Sequence, residues 1–478
     1  MDSDKELQDI AILEQMARAL DPEEEIRLDI WKQAFDYANQ FLNVLPQLPG
    51  FSNSNFQKLS SFTIQDDSRP IESILEIIKN EVDVSGISSA SGKHLGFIPG
   101  GGLWASAIAD LLGDITNKYS GIAFSGPGSV KIENQVIRWL TGIIGYPIQA
   151  FGHLTSGGSI ANLIAIKAAR DYHQINSTNV RTSVIYYGAQ THHSVYKALH
   201  TTGLYEAVQR KIPLTANYRI DTEKLEQQLA QDVDAGLTPF MVVASAGTTD
   251  TGAIDPLNEI ADLCERFGTW FHVDAAYGGF FILVEEMKEK LSGIERSDSV
   301  VLDPHKTLFL PFGSGAVLLK EGSRLLASNS SKASYLMDTE SADDISPADT
   351  GIELTRPNRG LRMWLPLQLH GLAPFKACLK EKLFLIHHFY NEIRKQGFET
   401  GPFPDLTVVI FRYPGDNDNQ LNQRLVEFIH ADGSVFLSST RIGERLWLRC
   451  AVVSHRTHLA EIQLTLQMIR ENLEKLLG

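Results

Sequence analysis

Two segments in the middle of the chain carry residue types suited to covalent chemistry on a flat ring. Phe271-His272-Val273-Asp274-Ala275-Ala276-Tyr277-Gly278 is apolar and β-prone up to one carboxylate, then turns to small residues. A strand ending on Asp274 with no bulky side chain after it can press that carboxylate against a planar ligand. Ser299-Val300-Val301-Leu302 runs into Asp303-Pro304-His305-Lys306, which puts a lysine just beyond a second apolar strand. A lysine amine is a nucleophile when neutral, a state favoured by burial beside another cation. A carboxylate paired with a pyridine nitrogen keeps that nitrogen protonated and makes the ring an electron sink. The pair suits pyridoxal phosphate held as an imine. Each residue also has an ordinary reading, Lys306 as a solvated strand-end lysine and Asp274 as a turn cap. Ala275 and Ala276 favour the ring, because small residues let it lie against the backbone. Pro304 fixes the chain, and His305 can reach an anion.

Three further segments fit the same ligand. Leu154-Thr155-Ser156-Gly157-Gly158-Ser159-Ile160-Ala161-Asn162 is a glycine-rich turn opening a helix to about Arg170. Free amides and the positive end of a helix there suit a phosphate, although neither a Walker loop nor GxGxxG is present. His192, in Gln190-Thr191-His192-His193-Ser194, follows an apolar run at 183–187 and could stack on the ring. A surface histidine and a metal ligand are the alternatives. The metal is the poorer one, since adjacent histidines in extended chain point opposite ways and no third ligand lies at zinc-like spacing. Ala246-Gly247-Thr248-Thr249 is another strand-end turn, able to present a hydroxyl to a substrate.

The elements that must position these residues follow from pattern. Continuous β-branched or apolar runs at 183–187, 240–244, 270–273 and 299–302 alternate with helical stretches, the sign of a mostly parallel sheet covered on both faces. Residues 1–85 are charged and helix-rich, with too little sequence to close a core of their own. Residues 86–360 form the α/β domain. Residues 361–478 form a smaller α+β domain that opens with a long helix near 365, then strands near 406–411 and 434–452 and a closing helix at 456–477. Among 478 residues the net charge is -15, against a nucleic-acid or anionic-membrane surface. Three cysteines without CxxC spacing read as reduced thiols, the N-terminus is unlike a signal peptide, and no apolar run is long enough to span a bilayer. The expected compartment is the cytoplasm.

The order Ser-Gly-Gly-Ser, His192, Ala-Gly-Thr-Thr, His-Val-Asp-Ala-Ala-Tyr, Asp-Pro-His-Lys resembles the group II pyridoxal-phosphate decarboxylases, which include the aromatic L-amino acid, histidine and glutamate decarboxylases. The resemblance runs from the helical N-terminus to Trp447-Leu448-Arg449. It implies a fold-type I architecture and a homodimer, with the N-terminal helices wrapped over the partner and both active sites at the interface. It implies that Lys306 carries the cofactor, Asp274 pairs with the pyridine nitrogen, His192 stacks on the ring and Ala276 touches its other face. Gly158, Ser159 and His305 would hold the phosphate, and Thr248 would lie near the substrate carboxylate or His192. A polar stretch at 328–355 reads as a mobile loop. Tyr335 within it matches the tyrosine that protonates the product in the family, and Arg356 would anchor the loop near the cofactor.

The reaction expected is decarboxylation of an L-amino acid, aromatic ahead of histidine, diamino acids or glutamate. Aldehyde synthesis or cleavage of a Cα–Cβ bond on the same fold is the second reading, and a non-catalytic binding module the third. Substrate choice is where the chain departs from the family. Leu95-Gly96-Phe97-Ile98-Pro99-Gly100-Gly101-Gly102 stands where aromatic-specific members carry His-Pro and several aromatics, and Gly121 and Ala123 stand where they carry bulky rings, which predicts a roomier pocket or one filled by the partner. Asp303 replaces an asparagine of some relatives. It is not expected to bind phosphate, because like charges would oppose each other.

Overall fold

The computed structural model of the protein describes residues 3–53, 62–330 and 344–478. The chain divides into two compact units, Met1–Ser88 and Ser89–Gly478. In the first, helices Ser3–Ala17 and Glu24–Val44 precede Ile71–Ile77, which continues into a π-helical turn at Ile78–Asp83. Pro46 cannot continue the second helix. Phe51–Ser52 (β1) pairs antiparallel with Gly86–Ile87 (β2). The apolar spacing predicts the helices, yet Glu24–Val44 and Ile71–Ile77 have no buried residue, and Leu7, Ile10, Leu13 and Met16 are exposed.

The second unit is built on a seven-stranded sheet. Its strands in chain order are Phe151–Thr155 (β3), Ser183–Gly188 (β4), Val208–Ile212 (β5), Thr238–Ser245 (β6), Trp270–Asp274 (β7), Ser299–Leu302 (β8) and Gly315–Leu319 (β9). They lie in the order β3-β9-β8-β7-β6-β4-β5. The run from β8 to β5 is parallel, and β9 is antiparallel to both β8 and β3. Side chains alternate between the faces. On one face Val242, Ala244, Phe271, Val273 and Val300 meet Ile137 and Leu140 of helix Pro127–Ile144 and Ile260 of helix Leu257–Phe267. On the other, Met241, Val243, Trp270 and Val301 meet Ala161, Ala165 and Ala168 of helix Gly158–Tyr172. Burial on both faces is why these strands read as unbroken apolar runs.

The pattern does not announce β3, β5 or β9. Phe-Gly-His-Leu-Thr is interrupted by glycine and histidine, Val-Gln-Arg-Lys-Ile is a polar edge strand, and Gly-Ala-Val-Leu-Leu is rich in helix formers. A second, antiparallel sheet of Glu399–Thr400 (β10), Val408–Arg412 (β11), Ser438–Ile442 (β12) and Arg445–Ala451 (β13) runs in the order β10-β11-β13-β12. Its core joins Val409, Phe411, Leu448 and Cys450 to Ile386, Phe389, Ile462 and Ile469. The long helix expected from about 365 is two, Arg359–His370 and Ala373–Lys395. Gly371, at φ +66, ends the first, and Pro374 sits in the first turn of the second.

Candidate active site

Among the described residues, the sequence's candidate site residues all lie at or follow the carboxyl ends of strands, where open α/β sheets place their ligands. Asp274 is the last residue of β7, and Lys306 lies in the single helical turn Pro304–Thr307 after β8. His192 caps helix His193–Thr201 after β4, Thr248 follows β6, and Gly158 and Ser159 open the helix after β3. Gly158, Ser159, His192, Thr248, Asp274, Ala276, His305 and Lys306 line one cavity of about 380 Å³. Tyr335 lies outside the described residues.

Asp274 is buried and its carboxylate is held in place from behind. Oδ1 accepts from the Ala276 amide at 3.2 Å, and Oδ2 accepts from Asn162 Nδ2 at 3.0 Å. Asn162 Nδ2 also donates to Ser194 Oγ at 3.0 Å, while its Oδ1 lies 2.9 Å from His272 Nε2. His272 Nδ1 lies 2.8 Å from Ser299 Oγ, which accepts from Trp270 Nε1 at 2.8 Å. An indole only donates and an amide oxygen only accepts, so the assignment is forced. Trp270 donates to Ser299, Ser299 to His272 Nδ1, His272 Nε2–H to Asn162 Oδ1, and Asn162 to Asp274. Burial holds His272 neutral, its pKa lowered to about 4.

The same network fixes His192. Its Nδ1 lies 2.8 Å from Ser194 Oγ and accepts from the Ser194 amide at 3.3 Å. The neutral ring therefore carries its proton on Nε2. Burial moves its pKa down, with His193 and Lys306 acting in the same direction and Asp274 and Asp303 against it. The rings of His192 and His193 are 4.1 Å apart, not opposed as in extended chain, because His193 already starts the helix. Among the described residues, no group of three His, Cys, Asp or Glu is arranged to hold a metal ion.

The lysine end contains an acid. Lys306 Nζ pairs with Asp303 Oδ2 at 2.9 Å, and Asp303 lines the cavity. Gly157, at φ +145, turns the chain into the helix, and a Cβ on Gly158 would lie 2.9 Å from Asp303 Oδ2 and 3.4 Å from Ala276 Cβ. Only a bare backbone leaves the cradle open. The amides of Gly158 and Ser159 start the helix, where no preceding turn satisfies them. Beyond them Thr248 Oγ1 bonds Thr251 Oγ1 at 2.8 Å, and Thr251 donates to Gln190 Oε1 at 2.8 Å. Arg449 secures this turn, donating to the carbonyls of Thr249 at 2.9 Å and Phe97 at 3.0 Å.

These residues fit pyridoxal phosphate. A buried carboxylate and a lysine line the same cavity, alanine at 276 leaves a flat wall, and helix amides that no preceding turn satisfies lie beside a glycine whose Cβ would fill the space. Asn162, Ser194, Gln190 and Asp303 belong to the site without having been singled out for it. Asn162 is the one with a legible signal, one helical turn after Gly158 on the buried face.

Other sequence expectations change. Arg356 does not line the cavity; it is buried, paired with Glu133 at 2.5 Å and donating to the Leu154 carbonyl at 3.0 Å. Gly121 and Ala123 are also absent from the lining of this cavity. A Cβ at Gly121 would sit 2.2 Å from the Leu354 carbonyl oxygen, so its smallness serves backbone packing. Gly100 is similar, since a Cβ there would lie 2.2 Å from the His305 carbonyl oxygen and 2.6 Å from that of Lys306. Gly100 thus buttresses the turn that carries the lysine, whereas Gly101 packs against Ser454 and His455.

Residues 54–414 match the pyridoxal-dependent decarboxylase conserved domain. An aromatic-L-amino-acid decarboxylase of Bacillus atrophaeus is 34% identical over 377 residues, 77% of this chain and 78% of the relative. Tryptophan decarboxylase TDC2 of Camptotheca acuminata is 28% identical over 487 residues, covering 96% of each chain. Among solved structures, Oryza sativa TDC with PLP and tryptamine superposes with a TM-score of 0.90 at 23% identity, over 95% of this chain and 99% of that one. With Lys306, Asp274 and the turn at 157–159 gathered at the strand ends, the chain belongs to the pyridoxal-dependent decarboxylase family, PLP-dependent carboxy-lyases of fold type I.

Proposed function

We propose that this protein decarboxylates an aromatic L-amino acid to the corresponding amine. The observation that carries the reading is the convergence of Lys306, Asp274, His192 and the 157–159 turn on one cavity. The names of the relatives favour an aromatic substrate over histidine, diamino acids or glutamate. When bound, pyridoxal phosphate supplies an aldehyde and an electron-withdrawing ring. Lys306 Nζ would hold the aldehyde end. Asp274, oriented by Asn162, would keep a proton on the ring nitrogen. Ala276 would form the wall on one ring face and the neutral imidazole of His192 would cover the other. Gly158, Ser159 and His305 would seat the phosphate. Thr248, held by Thr251, would orient the substrate carboxylate across the ring plane, since the bond perpendicular to the ring is the one that breaks. Tyr335 would return a proton to the α-carbon.

The protein would act as a cytoplasmic homodimer with both active sites at the interface. The exposed apolar side chains of residues 3–44 and the free thiols of Cys264, Cys378 and Cys450 support this, and light scattering at twice the chain mass tests the dimer. No helix among the described residues is long and apolar enough to cross a membrane. The test of the activity is a panel of L-amino acids assayed for carbon dioxide and for amine against aldehyde. Release from tryptophan, tyrosine or a related aromatic is expected, with loss of activity and of the visible absorbance band in Lys306→Ala. Release from acidic or diamino acids alone would refute the aromatic assignment. Unchanged amine yield in Tyr335→Phe would remove that tyrosine from the mechanism.

A further inference from the structure

One acid in the cavity is left unused by this chemistry. Asp303 is 2% exposed, and its Oδ1 has no hydrogen-bond partner. Its other oxygen holds Lys306 Nζ. Both oxygens rest against the phosphate turn, at 2.9 and 3.3 Å from where a Gly158 Cβ would stand. A buried carboxylate oxygen with no donor is costly, so an orphan inside a ligand cavity points to a partner that arrives with the ligand.

The charged and titratable groups facing Asp303 are Lys306 and His305 from its own turn, His192 from the turn after β4, and Asp274 at the end of β7. None satisfies Oδ1. His305 Nδ1 is 2.5 Å from the Ser314 carbonyl oxygen, which only accepts, so Nδ1 carries the proton. Its Nε2 lies 3.8 Å from Asp303 Oδ2, beyond hydrogen-bond reach. Lys306 is committed to the aldehyde end of the cofactor. A phosphate seated on the Gly158 and Ser159 amides would therefore meet a carboxylate, acceptor against acceptor. A proton shared between the two anions turns that opposition into a strong hydrogen bond.

We propose that Asp303 is the acid partner of the cofactor phosphate, holding one proton between Oδ1 and a phosphate oxygen, so that cofactor binding takes up a proton from solvent. The inference rests on pyridoxal phosphate being the ligand of this cavity. It reverses the expectation that a carboxylate at this position keeps away from the phosphate. An asparagine would donate through Nδ2 with no proton required.

Calorimetric titration of the cofactor-free full chain with pyridoxal phosphate near pH 8, in two buffers of different ionisation enthalpy, counts the protons. Wild type is expected to take up about one proton more than Asp303→Asn, and Asp303→Glu, which keeps an acid, is expected to retain the uptake. Equal counts in wild type and Asp303→Asn overturn the proposal. The wild-type protein alone provides a second readout, since one linked proton weakens binding about tenfold per pH unit above the range where the site protonates. A flat profile overturns the proposal even where a variant does not fold. Inorganic phosphate as a second probe removes the aldehyde, and the same one-proton difference is expected; a difference confined to pyridoxal phosphate would put the proton on the lysine side and overturn the assignment. Absence of any binding heat or visible band with pyridoxal phosphate defeats the cofactor reading itself, and the inference with it.

Discussion

Replacing Asn162 by alanine tests whether the buried chain behind Asp274 acts as a unit. Asn162 is 1% exposed and makes three side-chain hydrogen bonds, to Asp274, Ser194 and His272. Its removal leaves the His272 Nε2–H, in a fully buried ring, without an acceptor, at a cost of about 1–3 kcal/mol. Asp274 loses a charge-assisted donor worth about 1.5–3 kcal/mol, part of which returns because its carboxylate faces a cavity that water can enter. Ser194 loses a donor worth about 1 kcal/mol. Together these give a destabilisation of about 3–4 kcal/mol in the cofactor-free protein. The assay is urea unfolding with an unchanged slope and a lower midpoint. His272→Ala breaks the chain at the same bond, so the double variant should cost less than the two single changes together, by about 1–2 kcal/mol. Additivity within about 0.5 kcal/mol, or a loss below about 1 kcal/mol for Asn162→Ala, would refute the reasoning. The surviving Asn162→Ala protein should also bind pyridoxal phosphate more weakly, because neither Asp274 nor His192 keeps its orientation.

Acid should destabilise the protein well above the range where most carboxylates protonate. Burial lowers His94, His173, His272 and His455 to about 4, below their ordinary 6.5, while burial raises Asp255 to about 6. The unfolded chain thus gains four histidine protons below pH 6.5 that the folded protein refuses until about 4, and the folded protein gains one at Asp255. Stability is full above about pH 6.5 and falls by about 4 kcal/mol per pH unit near pH 5; circular dichroism against pH and urea checks this, and a flat response would count against neutral buried histidines. Arg356→Met should cost about 3–5 kcal/mol by stranding Glu133 in the core, and Glu133→Leu added to it should recover most of the loss in thermal unfolding. Gly100→Ala should displace the Lys306 turn, costing about 1–3 kcal/mol and reducing cofactor occupancy measured by the visible band; full occupancy would show that the backbone there can yield.

The strands most legible in the sequence are those buried on both faces, because continuous apolar runs record that environment directly. Strands β6, β7 and β8 and the residues at their ends could be read, and so could the turn at Gly158. β9 escaped because Ala and Leu serve helices equally well, and β5 because one of its faces is exposed. Asn162 and His272 lie inside two of the sequence motifs, but their role depends on two strands and a helix meeting in register, which no local pattern encodes. Glycines misled in a specific way. Small residues at 100 and 121 suggested space for a substrate, whereas both sit where another backbone comes within contact distance. A missing side chain in a sequence is equally compatible with a cavity and with a crossing chain.

The hydrogen-bonded series from Trp270 to Asp274 has a consequence for how protons travel. It begins on an indole that can only give and ends on a carboxylate that can only receive. No link can reverse without breaking its neighbours, so the series orients its members but does not conduct. Asp274 is in this sense electrically insulated from the sheet behind it. By this route no proton reaches Asp274 from the sheet, so exchange at its carboxylate is expected to proceed from the cavity side.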